Sequence, residues 1–159
     1  MARKPKITLY IDGGARGNPG PAACAAVLQT ADDGQTVLEQ GEYLGETTNN
    51  VAEYRGLLLG LRMAAQLGAD EIEIRSDSEL LVRQLAGRYR VRSEALKALH
   101  AEALQAIRRF GGVEVRHVRR EENAEADRLV NQTLNAHARK PPTAGGRASP
   151  GRGKTFRLE

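Results

Sequence analysis

Four acidic side chains, Asp12, Glu53, Asp77 and Asp127, sit inside four short phrases of this chain: IDGGARGNPGP, TTNNVAEYRGLL, RSDSELL and NAEADRLVN. Each phrase suits a strand end or a helix opening, from which a carboxylate can be aimed into a shared site. Like charges brought close repel and raise one another's pKa, so such a cluster is unfavourable unless a cation fills it. Oxygen ligands without paired Cys or His favour a hard ion, Mg²⁺ or Mn²⁺, over zinc.

Each acid also has an ordinary reading. Asp12 with Gly13 is a common turn dipeptide. Glu53 fits a capping box in which Asn50 is the helix cap. Against that, it lies four and eight residues before Leu57 and Leu61, on the inward stripe, where a carboxylate needs a reason to be. Asp77 suits a helix cap or a favourable charge at a helix N-terminus. Asp127 borders an apolar face through Val130 and Leu134, whereas Glu121, Glu122 and Glu125 are read mainly as solvent-facing. The joint pattern is stronger than its parts.

The elements that must carry these residues follow from periodicity. Residues 7 to 11 alternate as a half-buried strand with Asp12 at its end. GGARGNPGP is dense in turn residues, AACAAVLQT returns as a second strand, and Thr36 to Leu44 makes a third. Leu57, Leu58, Leu61, Ala64 and Ala65 give helical spacing from Asn49 to about Leu67, where Gly68 stops it. EIEIRSD alternates again and ends just before Asp77. Helices follow over Ser78 to Ala86 and Ser93 to Phe110, the second with Leu96, Leu99, Leu104 and Ile107 inward. VEVRHV is the fifth strand, and Asn123 caps a last helix reaching Ala138. Three strands followed by alternating helix and strand describe an α/β sheet of mixed direction. Asp12 and Asp77 then end parallel neighbouring strands, where α/β sheets place ligand sites.

Bulk properties narrow the function classes. With 159 residues, 40% of them hydrophobic, the chain builds one ordinary core, over residues 1–138. No apolar run approaches the roughly 18 residues of a membrane span, and MARKPKITLY lacks the apolar stretch of a secretory signal. A soluble, cytoplasmic protein with no membrane partner is expected. Cys24, in PAACAAVL, reads as buried filler. The net charge of +4 is uneven: residues 139–159 hold six Lys or Arg and one acid, leaving 18 basic against 19 acidic residues in 1–138. The body is thus near neutral, and attraction to phosphate must come from local patches or from the tail. That tail, PPTAGGRASPGRGKTFRLE after Arg139-Lys140, is Gly- and Pro-containing and without apolar period, so disorder is expected. Within it ASPGRGKT brushes against a phosphate-loop pattern but lacks the first Gly, the preceding strand and the following helix.

The four phrases, in this order over roughly residues 5 to 138, resemble ribonuclease H of type 1, in a short form. The resemblance implies a five-stranded sheet in spatial order 3-2-1-4-5 with strand 2 antiparallel, flanked by helices. It implies endonucleolytic cleavage of the RNA strand of an RNA/DNA hybrid, leaving a 3′ hydroxyl and a 5′ phosphate. Two Mg²⁺ or Mn²⁺ ions roughly 4 Å apart would bridge the scissile phosphate. Asp12 would be the bridging ligand, Glu53 and Asp77 would complete one site, and Asp127 would hold the nucleophile-side ion. Asn18 of GNPG and Asn49 of TNN would reach the minor groove to read the 2′ hydroxyl, and Thr48 would contact phosphate. Gly14 and Ser78 join them as candidate nucleic-acid contacts. The ordinary readings are a turn residue for Asn18 and a helix cap for Asn49.

Three departures from the family pattern stand out. The segment RREEN, between the last strand and last helix, has no catalytic His. His117 lies within the strand on the face of Val113 and Val115 and reads as structural. Assistance to the leaving group then falls to Glu121, Glu122, a water, Arg119 or Arg120. Glu46 stands where well-known members place a phosphate-binding Arg. The link GRYRVR has no room for the basic protrusion of some relatives, and no hybrid-binding domain is expected before residue 5. Arg88, Arg90 and Arg92 with Tyr89 either replace the protrusion as a small basic patch or form a solvated loop. A monomer is expected. The competing readings are a catalytically silent nucleic-acid-binding module of the same fold and a DNA-cutting relative of the superfold.

Overall fold

The structure, a computed structural model, describes residues 6–138. The basic tail with its ASPGRGKT stretch, and the first five residues, lie outside them. Five strands and four helices occur in the order β1 (Lys6–Ala15), β2 (Gly20–Thr30), β3 (Thr36–Thr47), α1 (Asn49–Leu67), β4 (Glu71–Ser76), α2 (Glu79–Leu85), α3 (Glu94–Ile107), β5 (Gly112–His117) and α4 (Ala124–Ala138), with a 3₁₀ turn (Arg120–Asn123) before α4. The sheet order is β3-β2-β1-β4-β5, with β2 antiparallel to both neighbours and β1, β4 and β5 parallel. This is the architecture expected from the sequence.

Alternation along β1 explains the layers. Ile7, Leu9 and Ile11 are completely buried and pack with Ile72, Ile74, Leu57, Leu61, Leu81 and Leu96 in the main core beneath α1 and α3. The opposite face is covered by α4 over β2, β3 and part of β1, where Val130 and Leu134 meet Ala23 and Ala25. Over β4 and β5 that face stays polar. Arg75 donates to Glu73 Oε1 and to the Tyr10 hydroxyl at 2.7 Å, and Arg116 reaches Glu73 Oε2 at 3.2 Å. Cys24 is completely buried in β2, as its apolar run suggested.

Glycines set how closely α1 lies on β1. A methyl group at Gly56 would stand 2.6 Å from Asp12 O, and one at Gly13 would overlap the backbone of Ala52 and the Glu53 amide. Only bare backbone fits between strand and helix there. α1 is therefore more enclosed than a one-sided stripe predicts: Leu59 and Met63 are buried as well, while Ala65 is exposed.

Several local expectations need correction. Asp12 is not at the end of β1, which runs on to Ala15 by pairing with β2. What ends near Asp12 is the pairing with β4, whose last partners are Ile11 and Ser76. The α1 cap is Thr48 rather than Asn50 or Asn49, its Oγ1 accepting from the Val51 amide at 3.2 Å. The α2 cap is Ser78 rather than Asp77, its Oγ accepting from Leu81. Asn123 turns away from α4 into the site described below. α3 stops at Ile107, three residues early, because the chain bends back so that the Gly111 and Gly112 amides donate to Asp70 O. His117, paired opposite Ser76, is exposed and not packed into the core.

Candidate active site

Where β1 and β4 part company, the next residue along each strand is an acid. Asp12 follows Ile11 and Asp77 follows Ser76, and the glycine contacts above bring Glu53, the fifth residue of α1, against the same gap. One carboxylate oxygen from each of Asp12, Glu53 and Asp77 lies within 4.8 Å of the other two. Asp127, half-buried in the first turn of α4, falls outside that trio, yet its charge is close enough to raise the Asp12 pKa.

The electrostatics are those of a site short of positive charge. Asp12 is only 6% exposed, and burial together with the Asp77 charge pushes its pKa from 3.8 up to about 7, with the Gly13 amide and Arg120 acting in the opposite direction. Burial, then the charges of Asp12 and Asp77, holds Glu53 well above its ordinary range. Glu53 Oε1 is closed off from solvent with no hydrogen-bond partner. An orphaned buried carboxylate oxygen among like charges is disfavoured unless something cationic meets it. The all-oxygen donor set suits a hard divalent ion.

The remaining candidates divide clearly. Asn18 Oδ1 accepts from the Asn49 amide at 3.0 Å, and Asn49 Oδ1 accepts from the Ala15 amide at 2.7 Å. The β1–β2 turn is thereby locked to the start of α1, with a cis peptide bond at Asn18-Pro19. Each amide oxygen accepts a backbone hydrogen bond, and both residues are exposed. Thr48 and Ser78 spend their oxygen lone pairs as caps but keep a hydroxyl proton to donate. Gly14 lies in β1 beside the Val130 side chain.

In the turn before α4, Glu122 Oε1 accepts from the Arg119 amide and Arg119 lies 3.9 Å from Glu121. Arg120 is the cation of this turn that acts on Asp12 and Glu53. Arg88 and Arg90, with Arg92 and Tyr89, rim a surface hollow of about 480 Å³ between α2 and α3. That loop is tied inward through Gln84, which donates to Arg90 O and accepts from the buried Tyr54 hydroxyl.

Three residues escaped the sequence reading. Gly13 and Gly56 set the spacing of Asp12 and Glu53, and Asn123, taken for a cap, donates to Asp77 Oδ2 at 3.2 Å. The recurrence of Gly at positions 56 and 60 on one side of α1 was the available signal for a close strand contact.

A family model described as reverse transcriptase-like matches residues 10–133. Ribonuclease HI of Halobacterium salinarum is 40% identical over 130 residues, covering 82% of this chain and 65% of that protein, and the crystal structure of the Halobacterium RNase H1 superposes with a TM-score of 0.80 over 98% of its chain. The chain belongs to the type 1 ribonuclease H family. Within that family, the bifunctional protein Rv2228c of Mycobacterium tuberculosis is 43% identical over 133 residues, 84% of this chain. This chain spans 36% of the length of that protein. The structure of its N-terminal RNase H domain matches with a TM-score of 0.82, covering 85% of this chain and 97% of that one. LC11-RNase H1, crystallised with an RNA/DNA hybrid, is 42% identical with a TM-score of 0.78, covering 83% and 99% of the two chains. No helix among the described residues is long and apolar enough to cross a membrane.

Proposed function

We propose that residues 1–138 form a metal-dependent endoribonuclease that cuts the RNA strand of RNA/DNA hybrids, leaving 3′ hydroxyl and 5′ phosphate ends. The observation carrying this reading is the meeting of Asp12, Glu53 and Asp77 around a buried, unpartnered Glu53 oxygen. A module that only gripped nucleic acid would gain nothing from concentrated negative charge beside phosphate.

Asp12 would be the shared ligand, Glu53 and Asp77 would complete one cation site, and Asp127 would hold the second ion. Bound there, two Mg²⁺ or Mn²⁺ ions would supply water activation and charge neutralisation at the leaving 3′ oxygen. The residues of the chain do the rest. Asn18 and Asn49, held by their own oxygens, present amide donors to the minor groove, where an RNA 2′ hydroxyl accepts. Thr48 and Gly14 border that surface, and the Ser78 hydroxyl proton faces phosphate beside Asp77. Arg120 takes the place of a loop His as the charge nearest the reacting atoms. Arg119, Glu121 and Glu122 are engaged with one another and support the turn. Arg88 and Arg90 grip substrate at the end of α2 remote from Asp77, in a cytoplasmic monomer.

The test is a set of matched labelled duplexes, RNA/DNA, RNA/RNA and DNA/DNA, incubated with Mg²⁺ or Mn²⁺, with and without chelator. Cleavage confined to the RNA of the hybrid and abolished by chelator is expected. No cleavage despite tight hybrid binding would favour the silent binding module, and cutting of DNA/DNA would favour a DNA-cutting relative.

A further inference from the structure

Asn123 is 1% exposed and sits at the point where β1 and β4 separate. Its Nδ2 donates to Ile11 O at 2.8 Å and to Asp77 Oδ2 at 3.2 Å. Ile11 is the last β1 residue paired with β4, and Asp77 is the first residue beyond β4. One amide therefore spans the opening from which the acid cluster is built. Both partners are acceptors, which decides which way the amide points. Its other atom, Oδ1, is buried and has no hydrogen-bond partner. A buried amide oxygen left bare is unfavourable, and this one belongs to a residue already bonded to a member of the acid trio.

We propose that Asn123 is a positioning residue for the metal site: Nδ2 fixes the Asp77 carboxylate in its ligating orientation, and Oδ1 accepts from a water of the bound cation. The inference rests on the reading of the acid trio as a cation site. Partners that orient metal ligands are commonly worth as much as some ligands. A merely structural amide would tie the turn before α4 to β1 and do nothing else.

The experiment uses the full chain stripped of metal and its Asn123→Ala variant, titrated with Mn²⁺ by calorimetry well below the unfolding temperature, together with steady-state cleavage of a hybrid. Mn²⁺ affinity is expected to fall about 10-fold to 100-fold, with kcat falling likewise and KM for the hybrid within about two-fold of wild type. Asn123→Ser, which leaves room for a water beside a small hydroxyl, carries the same measurement should the alanine variant fail to fold. Wild-type Mn²⁺ affinity in a folded variant, or a raised KM with unchanged kcat, would overturn the role. If the wild type binds Mn²⁺ and the variant does so weakly, yet neither cuts hybrid, the positioning role stands and the nuclease reading falls.

Discussion

Replacing Asp12 by Asn should make the metal-free protein more stable above neutral pH while removing its activity. In the folded chain the Asp12 pKa is raised from 3.8 to about 7 by burial and by Asp77. A group whose folded pKa lies above its unfolded one binds more protons when folded, so stability is present below the unfolded value and is lost as pH rises through the folded one. The window runs from about 4 to about 7. A shift of three units at 1.36 kcal/mol each corresponds to about 4 kcal/mol, and relaxation of coupled carboxylates together with imperfect seating of the amide reduces the expected gain to about 2–3 kcal/mol. Urea unfolding in chelator at pH 4, 5.5, 7 and 8.5 gives the comparison. The two proteins should nearly coincide at pH 4 and diverge to that gap by pH 8.5, with Asp12→Asn the more stable. Millimolar Mg²⁺ should then raise the wild type toward the variant, because a ligand that binds only the folded state stabilises it. A gap that ignores pH, or a variant less stable at pH 8.5, would refute the claim that the cluster is strained without cations.

Asp77→Asn should lower hybrid cleavage by more than about 100-fold, since even the partners of metal ligands are worth 10-fold to 100-fold; its circular dichroism should match wild type, and near-normal turnover would remove Asp77 from the site. Gly56→Ala places a methyl 2.6 Å from Asp12 O and should destabilise the fold by about 1–3 kcal/mol in urea unfolding, with weaker Mn²⁺ binding as Glu53 is pushed from Asp12. Asn49→Ala, which leaves the Ala15 amide without its 2.7 Å acceptor, should raise KM for the hybrid about 3-fold to 10-fold with little change in kcat, as read from initial rates over a substrate series.

How much of this was legible in the sequence depended on whether a feature is local. Alternation in Ile7 to Ile11 and in EIEIRSD announces strands because the period is written in consecutive residues. The acids announced themselves because each sits in a phrase of unusual composition. Caps were read less well: Thr48, Asn49 and Asn50 all have side chains suited to the task, and the choice falls to whichever residue has extended backbone where the helix begins. Here that is Thr48, at φ −91° and ψ 163°. Asn123 was misread for the same reason, since its partners, Ile11 and Asp77, are 112 and 46 residues away. The burial of Leu59 and Met63 on α1 was hidden because two layers, the sheet and α3, cover different sides of the helix. A single apolar stripe cannot report both.

Cys24 offers a consequence of a different kind. Its thiol lies in the completely buried middle of β2, between β1 and β3, and burial raises its pKa further, so alkylating reagents find neither access nor thiolate in the native protein. Modification can proceed only when the central strands come apart, and these belong to the last part of such a domain to open. With one sulfhydryl in the whole chain, the rate of its labelling becomes a clock for global opening, readable by mass and requiring no engineered probe.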